Sequence, residues 1–408
     1  MRFQINTEIL LLNRTIEGNI LKLYLIKIAK WFMLFMPIVV PFYMANDLGM
    51  KDVLLLQGVY SITIVVMEIP SGYFADVLGR RKTLLIGSFF GFFGFLTYSL
   101  GHGFWMFLLA EIVLGFGQSM ISGADSAMLY DSLADMKKEK QYMKYEGRIT
   151  SMGNIAEAIA GTLGGLLAGI SLRAPYIGQT VVALIAIPSA LLLIEPVRHK
   201  ALTVMKFKDI LNIIHYSLFK NRKLQRNILF SSLIGTATLT MAWFVQPVFL
   251  ELDLPIEVFG LLWTGLNLIV GITAIFAHKI EYKIGETLSI IIIAVLVPAG
   301  YLSLGFTLSY VAIGILIIFY IVRGFATPVL KDYINKIAEA NIRATILSVR
   351  NFIIRLNFVL IAPFLGWYTD NYTLKQAFLL AGIIFFTLSI LTMTLFLKSL
   401  KTNFKAQS

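Results

Sequence analysis

The sequence predicts an all-α membrane protein with twelve transmembrane helices in two halves of six. Of its 408 residues, 58% are hydrophobic and only 14% are charged, whereas about a quarter of the residues in a soluble domain are charged. The apolar residues form runs of about 18 to 25 residues, long enough for a helix to cross a hydrocarbon core about 30 Å thick. The sequence lacks the alternating apolar and polar segments of a membrane β-barrel.

Twelve apolar runs are separated by short polar loops, with one longer polar interruption after the sixth. The first six predicted spans cover residues 27–48, 53–75, 83–101, 104–130, 147–170 and 176–194. The second six cover residues 226–250, 257–277, 287–307, 309–325, 346–368 and 376–397. The predicted organisation is therefore an N-terminal half at 1–195, a cytoplasmic linker at 196–225 and a C-terminal half at 226–408. The tenth run is short, and we expect its helix to extend beyond it.

The distribution of Lys and Arg among the loops predicts the orientation of the chain. If the N-terminus is cytoplasmic, the outer loops contain only Lys51, Arg173 and Lys375 of the chain's 35 Lys and Arg residues. Cytoplasmic loops are enriched in these residues, so we expect both termini on the cytoplasmic side of the plasma membrane. The net charge of +12 then reflects orientation rather than binding of nucleic acid. We expect the first span to act as an uncleaved anchor, because no signal-peptide pattern precedes it.

The linker contains apolar residues at helical spacing. They are Phe207, Ile210, Leu211, Ile214 and Leu218. Polar and basic residues lie between them, so the pattern predicts an amphipathic helix on the inner leaflet. A solvated linker is the alternative.

Charged residues inside the spans follow a period of three spans. Spans 3, 6, 9 and 12 contain none between their ends, whereas neighbouring spans contain charges such as Lys30 in span 1 and Glu111 in span 4. A charge inside a membrane is costly and marks a protected interior. The period predicts repeated three-helix units around a central polar cavity, as in many secondary transporters.

The loop after span 2 carries a motif of glycines and charges. It reads Gly72-x-x-x-Asp76-x-x-Gly79-Arg80-Arg81. This motif resembles the signature between helices 2 and 3 of the major facilitator superfamily, and the twelve spans, cytoplasmic termini and long central loop match that family as well. The phrase Glu68-x-Pro-Ser-Gly and the segment 122–131 resemble a bacterial branch often grouped with drug efflux proteins. The resemblance implies alternating-access transport of a small molecule.

Each residue of the motif also has a physical role. Gly72 and Gly79 permit close helix packing and a tight reversal of the chain. Asp76 is placed to face the positive N-terminal end of a neighbouring helix, which the resemblance identifies as span 11. Arg80 has a potential partner in Asp131 at the inner end of span 4. We expect these contacts to form a cytoplasmic gate; the alternative is that the cations only set topology.

Two other segments resemble motifs of the same superfamily less closely. Residues 161–165 of span 5, Gly-Thr-Leu-Gly-Gly, resemble the glycine-rich antiporter motif, with Thr162 in place of its proline. Such glycines also commonly allow helices to approach closely. Residues 281–286 occupy the second-half turn that corresponds to the gate motif, but the Arg pair is absent there.

Proton coupling is the expected energy source, because the sequence contains no GxxxxGK[ST] loop for ATP. A membrane carboxylate can carry the proton, since burial raises its pKa toward neutrality. Glu68 in span 2 and Glu157 in span 5 are the first candidates, and Asp125 in span 4 is a third.

Span 11 supplies a candidate for substrate binding. Arg355, with Asn357 nearby, lies well inside the span and is expected to receive an anionic group or to neutralise an acid. The alternative is a set of static ion pairs that join the membrane acids to Lys30, Arg350 or Arg355.

The sequence predicts proton-coupled efflux of an amphiphilic or drug-like compound by a monomer. The alternatives are an uptake symporter for a polar solute and a translocator of lipids or siderophores. We expect no catalytic site, metal or cofactor, because the four His residues are dispersed, none lies in HExxH, and Cys is absent. Pore loops or rings of charge typical of a channel are absent from the pattern. The expected partners are the small-molecule substrate, protons and the lipid bilayer.

Overall fold

The structure, a computed structural model, describes residues 15–196, 212–339 and 342–407. Within these ranges every regular element is a helix. Twelve helical segments are long and apolar enough to cross a membrane. The predicted all-α fold with twelve spans is therefore confirmed.

The twelve spans match the predicted runs, each with somewhat different ends. The first six are Gly18–Met44, Met50–Glu68, Arg80–Leu100, Gly103–Asp135, Glu139–Ile170 and Ala174–Leu191. The second six are Arg222–Glu251, Ile256–Ile284, Glu286–Phe306, Val311–Ile337, Thr345–Asn371 and Leu374–Lys398. Span 2 belongs to a longer helix, Met50–Leu78. Span 10 extends past its predicted apolar run, which ended at residue 325, as far as Ile337. The added residues include polar ones, which the search for apolar runs left out.

Span 1 is broken into two helices, which the apolar pattern did not predict. Its first helix is Gly18–Trp31, and its second, Val39–Met44, follows a short 3₁₀ turn. Pro37 lies in this turn and has no backbone N–H to offer a continuous helix. The backbone N–H of Leu34 donates instead to Gln179 Oε1 at 2.9 Å, so span 6 replaces one of the helix bonds lost at the break.

Span 4 is broken in the same way. Helix Gly103–Ile121 ends before Ser122, and helix Ala124–Asp135 begins after Gly123. Gly123 has φ +83°, a left-handed conformation that favours glycine. Spans 1 and 4 are the first members of the two three-span repeats predicted for the N-terminal half, so the two breaks fall in equivalent members of the predicted repeat.

The chain divides into two compact units. One, here called the N-unit, comprises 1–48, 59–202 and 255–264; the other, the C-unit, comprises 49–58, 203–254 and 265–408. The N-unit thus includes the beginning of span 8, and the C-unit includes the beginning of span 2. The predicted boundary between halves at 195–226 stays a prediction.

The charge-free spans pack in pairs inside each unit. Spans 3 and 6 lie against each other in the N-unit, and spans 9 and 12 do so in the C-unit. Their other faces carry exposed apolar side chains such as Phe93, Val181, Val295 and Ile383. These faces are chemically suited to lipid, as the three-span period indicates.

Part of the linker lies outside the described residues, including Phe207, Ile210 and Leu211 of the predicted amphipathic helix. Where the described chain resumes, residues 212–220 are helical and end in a π-helical turn, Tyr216–Lys220. Leu218 packs against a buried apolar cluster of the C-unit that includes Ile228 and Ile346. This end of the linker therefore contacts protein with part of its apolar side.

Candidate functional site

The loop between spans 2 and 3 is a tight reversal at Gly79. Gly79 has φ +102° and ψ 151°, and the next helix begins at Arg80. The backbone N–H groups of Arg80 and Arg81 each donate to one oxygen of Glu195, both at 2.8 Å. A Cβ at Gly79 would lie 3.0 Å from Glu195 Oε2. Glycine is therefore required here both for its backbone conformation and for the approach of the capping carboxylate.

The structure brings Arg80 and Asp131 together, as the sequence suggested for this pair. Arg80 Nε lies 2.5 Å from Asp131 Oδ2, and both side chains are partly buried. Arg81 donates from Nη2 to the backbone carbonyl of Leu191 at 2.7 Å. The two arginines thus fasten the start of span 3 to spans 4 and 6 within the N-unit.

The first half of the motif lies on an exposed face. The side chain of Asp76 is exposed, and nothing lies within 4 Å of the position that a Cβ on Gly72 would take. The close packing expected at Gly72 is therefore absent in this structure. The expected contact of Asp76 with span 11 stays a prediction.

The corresponding turn in the second half keeps the backbone geometry of the motif. Gly285 has φ +82° and ψ 163°, and the next helix begins at Glu286. Glu281 accepts a hydrogen bond from Tyr333 at 2.9 Å. Glu286 occupies the place of the first arginine, so this turn has the reversal without the cations.

The broken spans 1 and 4 bring charged residues together at their helix ends. Lys27 lies in the last turns of the first helix of span 1, and Asp125 lies in the first turn of the second helix of span 4. Lys27 Nζ is 3.3 Å from Asp125 Oδ2, and the two side chains are only 14% and 12% exposed. The positive charge of Lys27 lies toward the negative C-terminal end of its helix, and the negative charge of Asp125 lies at the positive N-terminal end of its helix. Both charges are therefore stabilised by the helix dipoles. We call this pair the half-helix junction.

Two further charges surround the half-helix junction. Lys30 lies within electrostatic reach of Asp125. Ser126, the next residue along span 4, donates to Glu146 of span 5 at 3.1 Å. The direct ion pair of Asp125 is with Lys27.

The other residues selected from the sequence lie on spans 2, 5 and 11. Glu157 is half-buried on span 5, and Glu68 is exposed near the end of span 2. Arg355 and Asn357 are half-buried on span 11.

The glycines of span 5 line a close contact with the start of span 8 inside the N-unit. A Cβ at Gly161 would lie 2.7 Å from Thr264 Oγ1, and one at Gly165 would lie 2.8 Å from the backbone of Gly260. Thr264 donates to the carbonyl of Ala158 at 3.1 Å. The glycine pattern therefore serves close helix approach, as proposed for small residues in membranes.

Glu111 is a buried acid that the sequence analysis did not select as a site residue. It is 5% exposed, and Oε1 accepts hydrogen bonds from Tyr43 at 2.9 Å and from Tyr98 at 2.7 Å. The three residues come from spans 1, 3 and 4. No local motif links them, and a charged residue in an apolar span was the only available signal.

Asp370 is a second acid that sequence reasoning missed. It lies at the end of span 11 and accepts hydrogen bonds from the backbone N–H groups of Met50 and Lys51, at 2.7 and 2.8 Å. A Cβ at Gly49 would lie 2.7 Å from Asp370 Oδ2, and one at Gly366 would lie 2.6 Å from the carbonyl of Met50. Asp370 thus caps the start of span 2 within the C-unit, and the two glycines leave room for it.

Known proteins similar to this chain are membrane transporters. A family profile described as Major Facilitator Superfamily matches residues 26–360. An uncharacterized transporter of Buchnera aphidicola is 29% identical over 123 residues, 30% of each chain. The quinolone resistance protein NorA of Staphylococcus aureus is 23% identical over 159 residues, which cover 38% of this chain and 40% of NorA. The chain thus matches less than half the length of these curated relatives.

Solved transporter structures share the fold over nearly the whole chain. The nucleoside transporter NupG superposes with a TM-score of 0.79 at 14% identity and covers 93% of this chain and 99% of its own. A bacterial homologue of the human lysosomal transporter Spinster superposes with a TM-score of 0.75 at 15% identity, covering 94% and 98%. At such identities the likeness concerns the fold alone. Together with the matched profile, it shows that the chain belongs to the Major Facilitator Superfamily of membrane transporters.

Proposed function

We propose that this transporter exports a small amphiphilic compound across the cytoplasmic membrane in exchange for protons, working as a monomer by alternating access. Transport of a small molecule follows from family membership. The partial similarity to a quinolone resistance protein supports a drug-like compound as substrate. Proton exchange is supported by acids within the spans.

The observation that carries this proposal is the half-helix junction. Discontinuous helices at equivalent places of a repeat commonly form the sites at which transporters bind substrates and coupling ions. A proton on Asp125 would remove the negative charge that holds Lys27. The pair joins the ends of two broken spans, so protonation of Asp125 would release those ends. The released helices could then move, which would couple proton binding to a conformational change.

Glu157 and Glu68 are further proton-coupling candidates of this proposal. Glu157 is half-buried, which suits a group that exchanges protons with water in only one state. Glu68 is exposed in this structure, so its role depends on burial in another state. Arg355 and Asn357 are the proposed polar lining of span 11.

A thermal-shift screen of the purified protein selects the substrate class. The probes are norfloxacin and ethidium as drug-like compounds, uridine as a nucleoside and dialanine as a peptide. A stabilised protein with norfloxacin or ethidium supports drug export. Stabilisation by uridine or dialanine alone contradicts it and favours uptake of a polar solute.

Transport in everted vesicles tests the coupling. Uptake of the stabilising probe should require an imposed pH gradient and collapse with a protonophore. We expect Asp125→Asn to lower the initial rate about tenfold or more, which corresponds to about 1.4 kcal/mol or more of lost coupling energy. Glu157→Gln and Glu68→Gln are expected to act in the same direction.

Glu251→Gln is the matched control, because Glu251 is an exposed acid at the end of span 7. It should transport like the wild type. Full activity of all three acid variants at every pH would remove these acids from the mechanism, and uptake without a gradient would contradict proton exchange.

A further inference from the structure

Arg350 is a cation buried inside the C-unit. It is 5% exposed and lies seven residues into the helix Arg343–Asn371, about 10 Å along the helix axis. Nε donates to Ser231 Oγ of span 7 at 2.5 Å, and Nη1 donates to Asn351 Oδ1 at 3.1 Å. Both acceptors are neutral, and among the described residues no carboxylate forms an ion pair with Arg350.

Neighbouring hydroxyl groups of span 7 donate to backbone carbonyls of span 11. They carry no negative charge that would balance the guanidinium. Ser232 donates to the carbonyl of Arg350 at 3.2 Å, and Thr236 donates to the carbonyl of Ile354 at 3.3 Å. These bonds fix span 11 against span 7. A buried charge that lacks a counter-charge is strongly unfavourable, so the arrangement favours an anion that arrives from elsewhere.

A charge that interacts with Arg350 is also positive. Lys331 of span 10 lies within electrostatic reach of the guanidinium and is itself exposed. Two cations in one region attract an anion more strongly than either does alone. The positive charge of Lys331 and the lack of a counter-charge at Arg350 therefore both favour binding of an anion.

One end of the Arg350 guanidinium lies beside Gly235 of span 7. A Cβ on Gly235 would lie 3.6 Å from Nη2 and 2.5 Å from Ile354 Cδ1, so the glycine lets the side chains of both Arg350 and Ile354 pack closely against span 7. Nε is already bonded to Ser231, and the described hydrogen bonds leave Nη2 as a donor. Two N–H groups of a guanidinium match the two oxygens of a carboxylate or phosphate.

We propose that Arg350 binds an anionic group of the transported molecule, a carboxylate or a phosphate, with Lys331 strengthening the positive potential. This proposal rests on the transport function proposed above and names its substrate class. It differs from the sequence-based candidate Arg355, which is half-buried.

Binding to the full-length protein in an uncharged detergent tests the proposal. The probes are benzoate and phenyl phosphate, with benzamide as the neutral analogue of the same shape. We expect both anions to raise the unfolding temperature by several degrees at millimolar concentration and benzamide to leave it unchanged, since ligands that bind only the folded state stabilise it.

Two variants ask whether Arg350 is the receptor. Arg350→Lys keeps the charge but loses the two-pronged donor, and we expect at least a tenfold rise in the Kd of benzoate or phenyl phosphate. Lys331→Glu changes an exposed side chain and places an acid near the guanidinium, so it should compete with the anion to the same extent. Lys279→Glu, the same charge change at an exposed position of span 8, should retain wild-type binding.

Two results would overturn the proposal. One is anion stabilisation that survives both Arg350→Lys and Lys331→Glu, or that is absent from the wild type. The other is stabilisation by phosphatidylglycerol micelles but by neither soluble anion, which would assign Arg350 to a lipid headgroup. If anion binding fails while proton-driven transport of a neutral or cationic probe persists, only this site is wrong; if binding persists without proton-driven transport, the proposed function is wrong.

Discussion

At the scale of single residues, Glu111 shows how an acid is accommodated inside the bundle. Its carboxylate accepts from two tyrosines that are themselves fully buried, and these rings pack with Phe42 and Phe107. Each hydroxyl would lack this acceptor if the carboxylate were removed. A buried donor without a partner is costly, so the cluster links spans 1, 3 and 4 through one side chain.

We expect Glu111→Leu to destabilise the protein by about 1–3 kcal/mol, because the hydroxyls of Tyr43 and Tyr98 can still bond each other and one of them is then left without an acceptor. Glu111→Gln keeps a carbonyl oxygen and should lose less. Thermal unfolding in detergent measures both. In the background Tyr43→Phe/Tyr98→Phe, the leucine substitution should lose most of its effect, since no hydroxyl is then left without a partner. An equal loss in both backgrounds would contradict the assignment.

Glu195 gives a second prediction at this scale. Its two oxygens accept from the first two backbone N–H groups of span 3, and removing such a cap costs about 1 kcal/mol. Glu195→Ala should lower the unfolding temperature, and Gly79→Ala should do so more strongly because of its positive φ. Glu139→Ala, a change of an exposed acid in another turn, serves as the control. Unchanged stability of Glu195→Ala would show that water caps this helix equally well.

Sequence reasoning at the residue scale succeeded where the chemistry is local. The turn at Gly79 follows from a compact motif of glycines and charges, whereas Asp131, the acid opposite Arg80, is 51 residues away in span 4. Glu195, Glu111 and Asp370 depend on partners more than ten residues away in sequence, such as Arg80, Tyr43 and Met50. A charge in an apolar chain indicates that a partner exists, but its identity depends on helix packing.

At the scale of helices, the two broken spans and the capped start of span 2 are places where backbone groups lack hydrogen bonds within a helix. A break inside a membrane needs substitutes for the lost helix bonds, and Gln179 supplies one to Leu34. Asp370 does the same for the first N–H groups of span 2. These side chains hold helix ends against neighbouring spans, so they are the points at which a change of charge moves a whole helix.

We expect Asp370→Asn to loosen the contact between the start of span 2 and the end of span 11. Asparagine offers one acceptor oxygen in place of two and has no charge to oppose the helix dipole. The chain has no cysteine, so a single cysteine at Lys51 reports on this contact without background. Its reaction with a maleimide should be several-fold faster in Asp370→Asn.

Asp253→Asn is the control for the labelling experiment. Asp253 is an exposed acid in the loop after span 7, and its change should leave the reaction of the cysteine at Lys51 unaltered. Equal rates in Asp370→Asn and the parent would show that this cap is unimportant for the end of span 2.

Apolar runs predicted the number, order and approximate ends of the spans. They did not predict the breaks, because residues 31–36 of span 1 are apolar throughout. Hydropathy depends only on residue type, so it is the same for a continuous helix and for a broken one. Pro37 and Gly123 were the available signals. Neither is decisive by itself, since Pro70 and Pro247 lie inside continuous helices.

At the scale of the whole molecule, the account rests on two units that each combine apolar outer faces with polar contacts between spans. The N-unit contains the half-helix junction, and the C-unit contains the buried Arg350. Proton binding is thus proposed in one unit and anion binding in the other. A transporter that separates these two tasks can couple them only through a change of state, which is the defining feature of alternating access.

Proton movement that accompanies substrate movement is the most direct measurement of the central claim. Purified protein in proteoliposomes, with a pH-sensitive dye inside and the stabilising probe added outside, should show a proton flux that begins on addition of the probe and is lost in Asp125→Asn but kept in Glu251→Gln. Substrate transport with no accompanying proton flux, or an unchanged flux in Asp125→Asn, would contradict the role of the half-helix junction.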